Sequence, residues 1–215
     1  MGNRAVITTQ ENFENNGVSV YLHWNGGRDS VEAFLKYCKM KGYRPPEQDD
    51  YGWARLCQVI GNFFGGSNSV GIGTGYGDVG DNGTYIIENW EIVGRKYFED
   101  EDGNPYEEQS CYDPDEMLCV IDASMPAKDQ FGEMFMKAPV IKTAEMKTGD
   151  TVAYVDWDGE VVHEKILGIG VDEMVNGRNV FGVPYTGKYM GSNSQPEKNI
   201  NNYLFDDKEY RISQG

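Results

Sequence analysis

The sequence predicts an α+β protein: a small N-terminal sheet with two helices, and a C-terminal antiparallel β-meander or SH3-like partial barrel. Two observations favour this class. Apolar residues recur at clear helical spacing only in the N-terminal part, whereas short alternating runs separated by Gly and Asn turns dominate the C-terminal part. The 27 glycines indicate many turns and short elements rather than long helices.

The N-terminal block begins with two predicted strands, residues 4–9 and 18–24, which are rich in β-branched and apolar residues. Asn15, Asn16 and Gly17 lie between them and are typical of a tight connection.

Two helices are predicted next. The first covers residues 30–41, with Asp29 as its N-cap. The second begins near Asp50 and ends at Gly65. Residues 84–98 have apolar side chains on both faces, which predicts one strand covered on both sides. The first helix has an apolar stripe at i, i+3, i+4 and i+7: Val31, Phe34, Leu35 and Cys38.

The rest of the chain reads as short elements. Asp158 and Gly159 form a strong hairpin signal between two β-like runs, and Asn176 with Gly177 predicts a second turn. Three consecutive antiparallel strands are therefore expected. The individual predictions are a buried strand at 117–121, one or two helical turns at 129–136, and strands at 151–157, 160–169, 179–183, 203–205 and 210–212.

Acidic residues are concentrated in one stretch. Residues 99–135 hold twelve Asp or Glu and one Lys, so this stretch accounts for most of the chain's net charge of −16. This pattern predicts three parts: an α+β domain at 1–98, an acidic connector at 99–136 and a β-rich domain at 137–215. A localised negative field can steer a basic partner, and the alternative is a solvated connector.

A basic protein is therefore the expected partner. Nucleic acid is not expected to bind directly, because the chain has no cluster of Lys and Arg. The oligomeric state is left open. The residues predicted to contact the partner are Glu99, Asp100, Glu101, Asp102, Glu107, Glu108, Asp113, Asp115 and Glu116.

Two loops are candidates for binding a small anionic ligand such as a nucleotide. The first is residues 23–29, between a strand and a helix N-terminus, where backbone amides and Arg28 would hold an anion. The second is the glycine-rich stretch 71–83, whose spacing fits neither a dinucleotide fingerprint nor a P-loop. The alternative is that both are ordinary turns. The predicted ligand-binding residues are His23, Trp24, Asn25, Arg28 and Arg55.

Other site classes find little support in the sequence. With two His and no Cys-x-x-Cys motif, no metal site or cofactor is predicted. An EF-hand starting at Asp100 fails because Pro105 stands where Gly is needed; looser calcium pairs, Asp78 with Asp81 or Asp113 with Asp115, stay open. No catalytic residue is assigned. The absence of a leader or membrane span predicts a cytoplasmic protein with reduced cysteines.

Two motifs carry a resemblance to a family. Arg4-Ala5-Val6-Ile7 and the run Val-Tyr-Leu-His-Trp-Asn-Gly-Gly at residues 20–27 resemble the opening of small bacteriophage and mobile-element proteins of unknown activity. The similarity continues through Asp-Tyr-Gly-Trp-Ala-Arg at 50–55 and covers residues 1–95. The resemblance implies a phage setting in a bacterial host and transfers no site residues. In that setting, compact acidic proteins often inhibit host defence, some by mimicking nucleic-acid charge.

These observations lead to one functional prediction with two alternatives. The leading one is a non-enzymatic binding protein, a phage or mobile-element inhibitor whose acidic surface engages a basic host protein. The first alternative is a small-ligand binder that uses loops 23–29 and 71–83. The second is an enzyme whose site the sequence does not reveal.

Overall fold

A computed structural model describes residues 2–74, 81–97, 102–103, 108–142, 145–147, 149–156, 158–166, 172–175, 178–181, 204–205 and 209–212. The chain divides into two compact units, Met1–Gln130 and Phe131–Gly215. The predicted α+β class is confirmed, since the first unit combines a mixed sheet with helices and the second contains antiparallel sheets. The division at residue 130 differs from the predicted boundaries at 98 and 136, because residues 108–130 belong to the first unit.

The first unit contains a five-stranded sheet in the order β3-β2-β1-β4-β5. Neighbouring strands are antiparallel except β1 and β4, which are parallel. Ile7 on β1 and Val20 on β2 face each other and are fully buried. The strands are β1 (Ala5–Thr9), β2 (Val18–Leu22), β3 (Val70–Thr74), β4 (Thr84–Glu88) and β5 (Glu91–Lys96).

Two connections in this sheet differ from the predictions. The connection between β1 and β2 is a short helix, α1 (Gln10–Asn15), which ends where Asn16 takes a left-handed conformation with φ 52°. Residues 84–98 are not one strand but the hairpin of β4 and β5. Asn89 and Trp90 form its turn with φ of 49° and 62°, and the Trp90 indole N–H donates to the Tyr43 carbonyl at 2.7 Å. Trp rarely takes positive φ, so the turn has no recognisable sequence signal.

Three longer helices pack against one another: α2 (Arg28–Met40), α3 (Asp50–Phe64) and α4 (Pro114–Ser124). The stripe predicted on α2 is confirmed, because its four residues are fully buried. The predicted limits of α3 are also confirmed. Asp49 caps its start by accepting from the Tyr51 N–H at 2.9 Å, and Gly65 ends it with φ 61°.

Helix α4 replaces the strand predicted at 117–121, so that prediction is wrong. Met117, Leu118 and Ile121 are buried at helical spacing, and an apolar run this short fits either structure by composition. The start signal is Asp113 followed by Pro114, a cap and a first-turn proline.

The second unit is β-rich, as predicted. Its four-stranded sheet has the order β6-β12-β7-β8, and Asp158 with Gly159 lies in the β7–β8 connection as expected. The expected run of three consecutive strands is wrong, because β9 and β10 pair in a separate sheet with β11. Asn176 and Gly177 lie outside the described residues. The elements are α5 (Glu133–Lys137), β6 (Val140–Ile141), β7 (Thr151–Val155), β8 (Val161–Lys165), β9 (Asp172–Val175), β10 (Arg178–Phe181), β11 (Leu204–Phe205) and β12 (Tyr210–Ile212).

The predicted turns at 129–136 are found as a 3-10 turn at Ala127–Asp129 and helix α5. Arg211, which is buried on β12, fixes the end of α5. Its guanidinium donates to the Met136 carbonyl at 2.6 Å and to the Ala138 carbonyl at 3.0 Å. These carbonyls would otherwise end the helix without a partner.

Candidate functional site

The loop predicted to bind a ligand lies between the end of β2 and the start of α2. His23 and Trp24 are exposed, and their rings meet edge to face with centroids 5.2 Å apart. The His23 Nδ1 atom lies 3.0 Å from the Tyr21 hydroxyl. Asn25 takes φ 55°, which fits the turn role that was the alternative for this residue.

Arg28 stands at the start of α2 but is already engaged by an anion of the protein itself. Its Nε donates to a Glu108 carboxylate oxygen at 2.8 Å, and its guanidinium lies over the Tyr85 ring at 5.5 Å. The hydrogen bond to Glu108 raises the pKa of Arg28. Arg95 reaches the same carboxylate at 3.5 Å. The predicted anion clamp therefore holds Glu108, which comes from the acidic stretch.

Arg55 does not join this group in the described contacts. It is exposed on α3, donates to the Gln58 side chain at 2.7 Å, and lies over the Tyr43 ring at 5.5 Å. The structure thus brings His23 and Trp24 into contact, directs Arg28 to Glu108, and gives Arg55 other partners.

Asp29 is not the predicted N-cap of α2, and this correction reveals an unexpected attachment. The cap position is Gly27, which makes no side-chain bond. The buried Asp29 carboxylate instead accepts from the backbone N–H groups of Cys111 and Tyr112, both at 2.6 Å, and from that of Ser30 at 2.7 Å. A carboxylate that accepts several N–H groups forms strong, charge-assisted bonds. Asp29 therefore holds a segment more than 80 residues away in sequence.

That segment, residues 108–112, is here called the strap. The strap crosses the start of α2 so closely that a Cβ on Gly27 would clash with the Gln109 carbonyl oxygen. The fully buried Asn82 accepts from the Gln109 N–H at 2.6 Å, and Asn3 donates to the Gln109 carbonyl at 3.1 Å. The buried side chains of Asp29 and Asn82 therefore hold the backbone of the strap.

The strap also shapes the surroundings of Tyr85. This side chain is fully buried. Burial is the main cause that raises the pKa of its hydroxyl, and the nearby Glu108 carboxylate raises this pKa further. Tyr85 therefore stays neutral at physiological pH.

The strap leads directly into α4, where several of the predicted partner-binding acids lie. Asp113 caps this helix by accepting from the Asp115 and Glu116 N–H groups, both at 3.0 Å. Asp115 is 84% exposed and lies 3.7 Å from Lys36, and Glu116 is exposed. Asp113, Asp115 and Glu116 are here called the acidic helix start.

The remaining predicted acids are distributed differently. Asp102 is exposed, and Glu108 belongs to the strap. Glu99, Asp100, Glu101 and Glu107 lie outside the described residues.

Two exposed apolar side chains flank the acidic helix start, and the sequence did not single them out. Tyr112 is 52% exposed and Val120 is 54% exposed. Val120 follows Glu116 by one helical turn, so the two share a face of α4. Helical spacing would have placed Val120 beside Glu116 had residues 117–121 been recognised as part of a helix.

The glycine-rich stretch has two different described parts. Residues 70–74 form the edge strand β3, and residues 75–80, which include Asp78, lie outside the described residues. Asp81 accepts from the Arg4 Nε at 2.8 Å and from the Arg4 backbone N–H at 3.0 Å. The hydrogen bond to Arg4 lowers the pKa of Asp81. Both Asp81 and Asp113 therefore have partners within the protein, and neither calcium pair gains support.

The described residues contain no group of three or more His, Cys, Asp or Glu side chains arranged to hold a metal ion. Burial raises the pKa of the Cys38 and Cys57 thiols, which disfavours the nucleophilic thiolate. Every helix in the described parts of the chain is too short or too polar to span a bilayer. Comparison with known proteins gives no match to any family model, curated protein or solved structure.

Proposed function

We propose that this chain is a non-enzymatic binding protein that presents an acidic surface to a basic, nucleic-acid-binding protein. One observation carries the proposal: the acidic helix start is exposed and is joined to a strap that buried side chains hold in place. Carboxylates fixed on a folded surface lose less conformational freedom on binding than those of a flexible tail. A negative surface also attracts a basic partner at long range and speeds their encounter.

The side chains around the acidic helix start fit a protein partner better than a small ion. Tyr112 and Val120 offer apolar area beside the carboxylates of Asp115 and Glu116. Protein interfaces commonly combine an aromatic or apolar anchor with a charged rim. We therefore expect the partner to place a basic segment against this face of α4.

The setting of the proposal comes from the sequence alone. The resemblance of residues 1–95 to phage and mobile-element proteins supports a role as an inhibitor of host defence in the cytoplasm of a bacterial host. The small-ligand alternative has less support, because Arg28 is engaged by Glu108 and Arg55 has other partners.

The test compares two variants with the same change in charge. Asp115→Asn with Glu116→Gln removes two charges from the acidic helix start. The control, Asp158→Asn with Glu160→Gln, removes two exposed charges from the second unit. Both variants and the wild type are used to capture proteins from a bacterial lysate. The partner is the basic protein that wild type and control capture in common.

We expect the Asp115/Glu116 variant to bind this partner several-fold more slowly, with a smaller change in dissociation, because long-range attraction sets the encounter rate. Added salt should slow wild-type association in the same way. If neither the substitutions nor added salt changes the association rate, the acidic residues do not recruit the partner and are only a solvated surface. A small molecule that copurifies with the wild type and is lost from Arg28→Ala would favour the ligand-binding alternative instead.

A further inference from the structure

The five-stranded sheet has two edge strands, and they differ in how they are protected. β5 carries Glu91, Arg95 and Lys96, and the extra residue Val93 interrupts its register with β4. Charges and bulges are devices that keep sheet edges from pairing with other strands. β3 reads Val-Gly-Ile-Gly-Thr and has no charge, no proline and a regular register with β2. Among the described residues, the β3 edge is therefore open to pairing.

The backbone groups at the β3 edge follow from its pairing with β2. The His23 N–H donates to the Ser69 carbonyl at 2.8 Å, so residues 23 and 69 are a hydrogen-bonded pair. Such pairs alternate along antiparallel strands, so Gly71 and Gly73 also bond to β2. Val70, Ile72 and Thr74 then direct their N–H and C=O groups away from β2. No described strand pairs with that side of β3.

The side chains of β3 are also unusual for an edge. Ile72 is 69% exposed, although its cross-strand neighbour Val20 is fully buried. The fold itself does not require glycine at 71 or 73. A Cβ at either position would meet only Tyr21 or Ser19, at ordinary van der Waals distances. The described contacts of the first unit thus do not explain why this strand has no charge and carries two glycines.

We propose that β3 is a self-association edge, at which two copies of this chain pair their β3 strands antiparallel about a two-fold axis at Ile72. In that register Ile72 faces the second copy's Ile72, and Val70 faces the second copy's Thr74. All outward N–H and C=O groups of these three residues then find partners. The two sheets join into one continuous sheet, and both Ile72 side chains lose exposure to water.

A second copy fits this edge better than a basic segment does. β3 has no charge with which to attract a basic chain, whereas its outward groups complement themselves about Ile72. Two copies also meet without like charges facing each other along the strand.

Two features set the expected strength of this association. A five-residue strand offers a contact at the small end of specific interfaces, which bury about 1,200 Å² or more in total. The net charge of −16 repels a second copy at long range. We therefore expect a weak dimer that strengthens as salt is added, because salt screens the repulsion. Binding of a basic partner by the acidic helix start should weaken with salt, so the two interactions respond in opposite directions.

Sedimentation velocity of the full chain tests the proposal, over a concentration series at low and at high salt. We expect the average mass to rise with protein concentration and with salt. Ile72→Lys should abolish the rise, because it places a charge at the two-fold axis. Val93→Lys is the matched control: it adds the same charge on the other edge, at a residue that is 57% exposed, and should leave association unchanged.

Amide hydrogen exchange gives a residue-level measurement. At high concentration the amides of Val70, Ile72 and Thr74 should become protected, whereas those of Gly71 and Gly73 should already be protected in the monomer. Thermal unfolding checks that Ile72→Lys folds, and Thr74→Lys is the second variant if it does not.

A monomer at every concentration and salt would overturn the proposal. A dimer that Ile72→Lys leaves intact would also overturn it. So would β3 amides that become protected from hydrogen exchange only when other peptides are added, and not at high concentration of the chain itself.

Discussion

The starts of helices α2 and α4 each have an aspartate, and the two aspartates act over very different distances. At α4, Asp113 accepts from the N–H groups of Asp115 and Glu116, within the first turn of its own helix. At α2, Asp29 accepts from its neighbour Ser30 and from Cys111 and Tyr112, which belong to the strap. One carboxylate begins a helix, and the other attaches a distant segment to a helix start.

The difference shows how burial changes the contribution of a carboxylate. Asp113 is exposed, so water can accept hydrogen bonds from the Asp115 and Glu116 N–H groups when its side chain is removed. Asp29 is buried, and its removal would leave the Cys111 and Tyr112 amides without the charged acceptor that they have in the folded protein. Because the strap leads into α4, Asp29 also holds the backbone directly before the acidic helix start.

The largest expected effect is therefore at Asp29. Asp29→Ala should lower the free energy of unfolding of the first unit by about 3 kcal/mol, since hydrogen bonds to charged groups contribute about 1.5–3 kcal/mol each and are not fully additive. Urea unfolding followed by tryptophan fluorescence, to which the buried Trp53 and Trp90 of the first unit contribute, measures this loss. Exchange of the Cys111 and Tyr112 amides should accelerate as well. A loss below about 0.5 kcal/mol would mean that the strap is not held by Asp29.

The same contrast explains what the sequence could predict. Local signals worked: the stripe of α2, the start and end of α3, and the Asp158-Gly159 hairpin depend on residues close together in the chain. The strap depends on Asp29, Asn82 and Glu108, which are far apart in sequence. Nothing in the composition near Asp29 distinguishes a cap from an acceptor for residue 111. The sequence shows the acids as one charged stretch. Their division between the strap and the acidic helix start depends on long-range contacts that only the structure shows.

A smaller effect is expected at Asp113. Asp113→Ala removes a helix cap and should cost about 1 kcal/mol, the usual value for an exposed N-cap. Asp113→Ser, which restores a capping oxygen without the charge, should recover most of this loss. The same urea unfolding measurement applies. If Asp113→Ala cost as much as Asp29→Ala, then local capping and long-range attachment would not differ as proposed here.

The smallest effect is expected at Asp81. This residue tests whether a contact between residues far apart in sequence is strong without burial. Like Asp29 it holds a residue far away, Arg4, but that arginine is 39% exposed. A partly exposed ion pair contributes about 0–1 kcal/mol.

The hydrogen bond to Arg4 lowers the folded-state pKa of Asp81 below its ordinary value of 3.8. The contribution is therefore fully present above that value and is lost as the pH falls through the lower folded-state pKa. Wild type should be slightly more stable than Asp81→Asn at pH 7, and the difference should disappear in strong acid. A difference that persists unchanged into strong acid would show that Asp81 acts through something other than its charge.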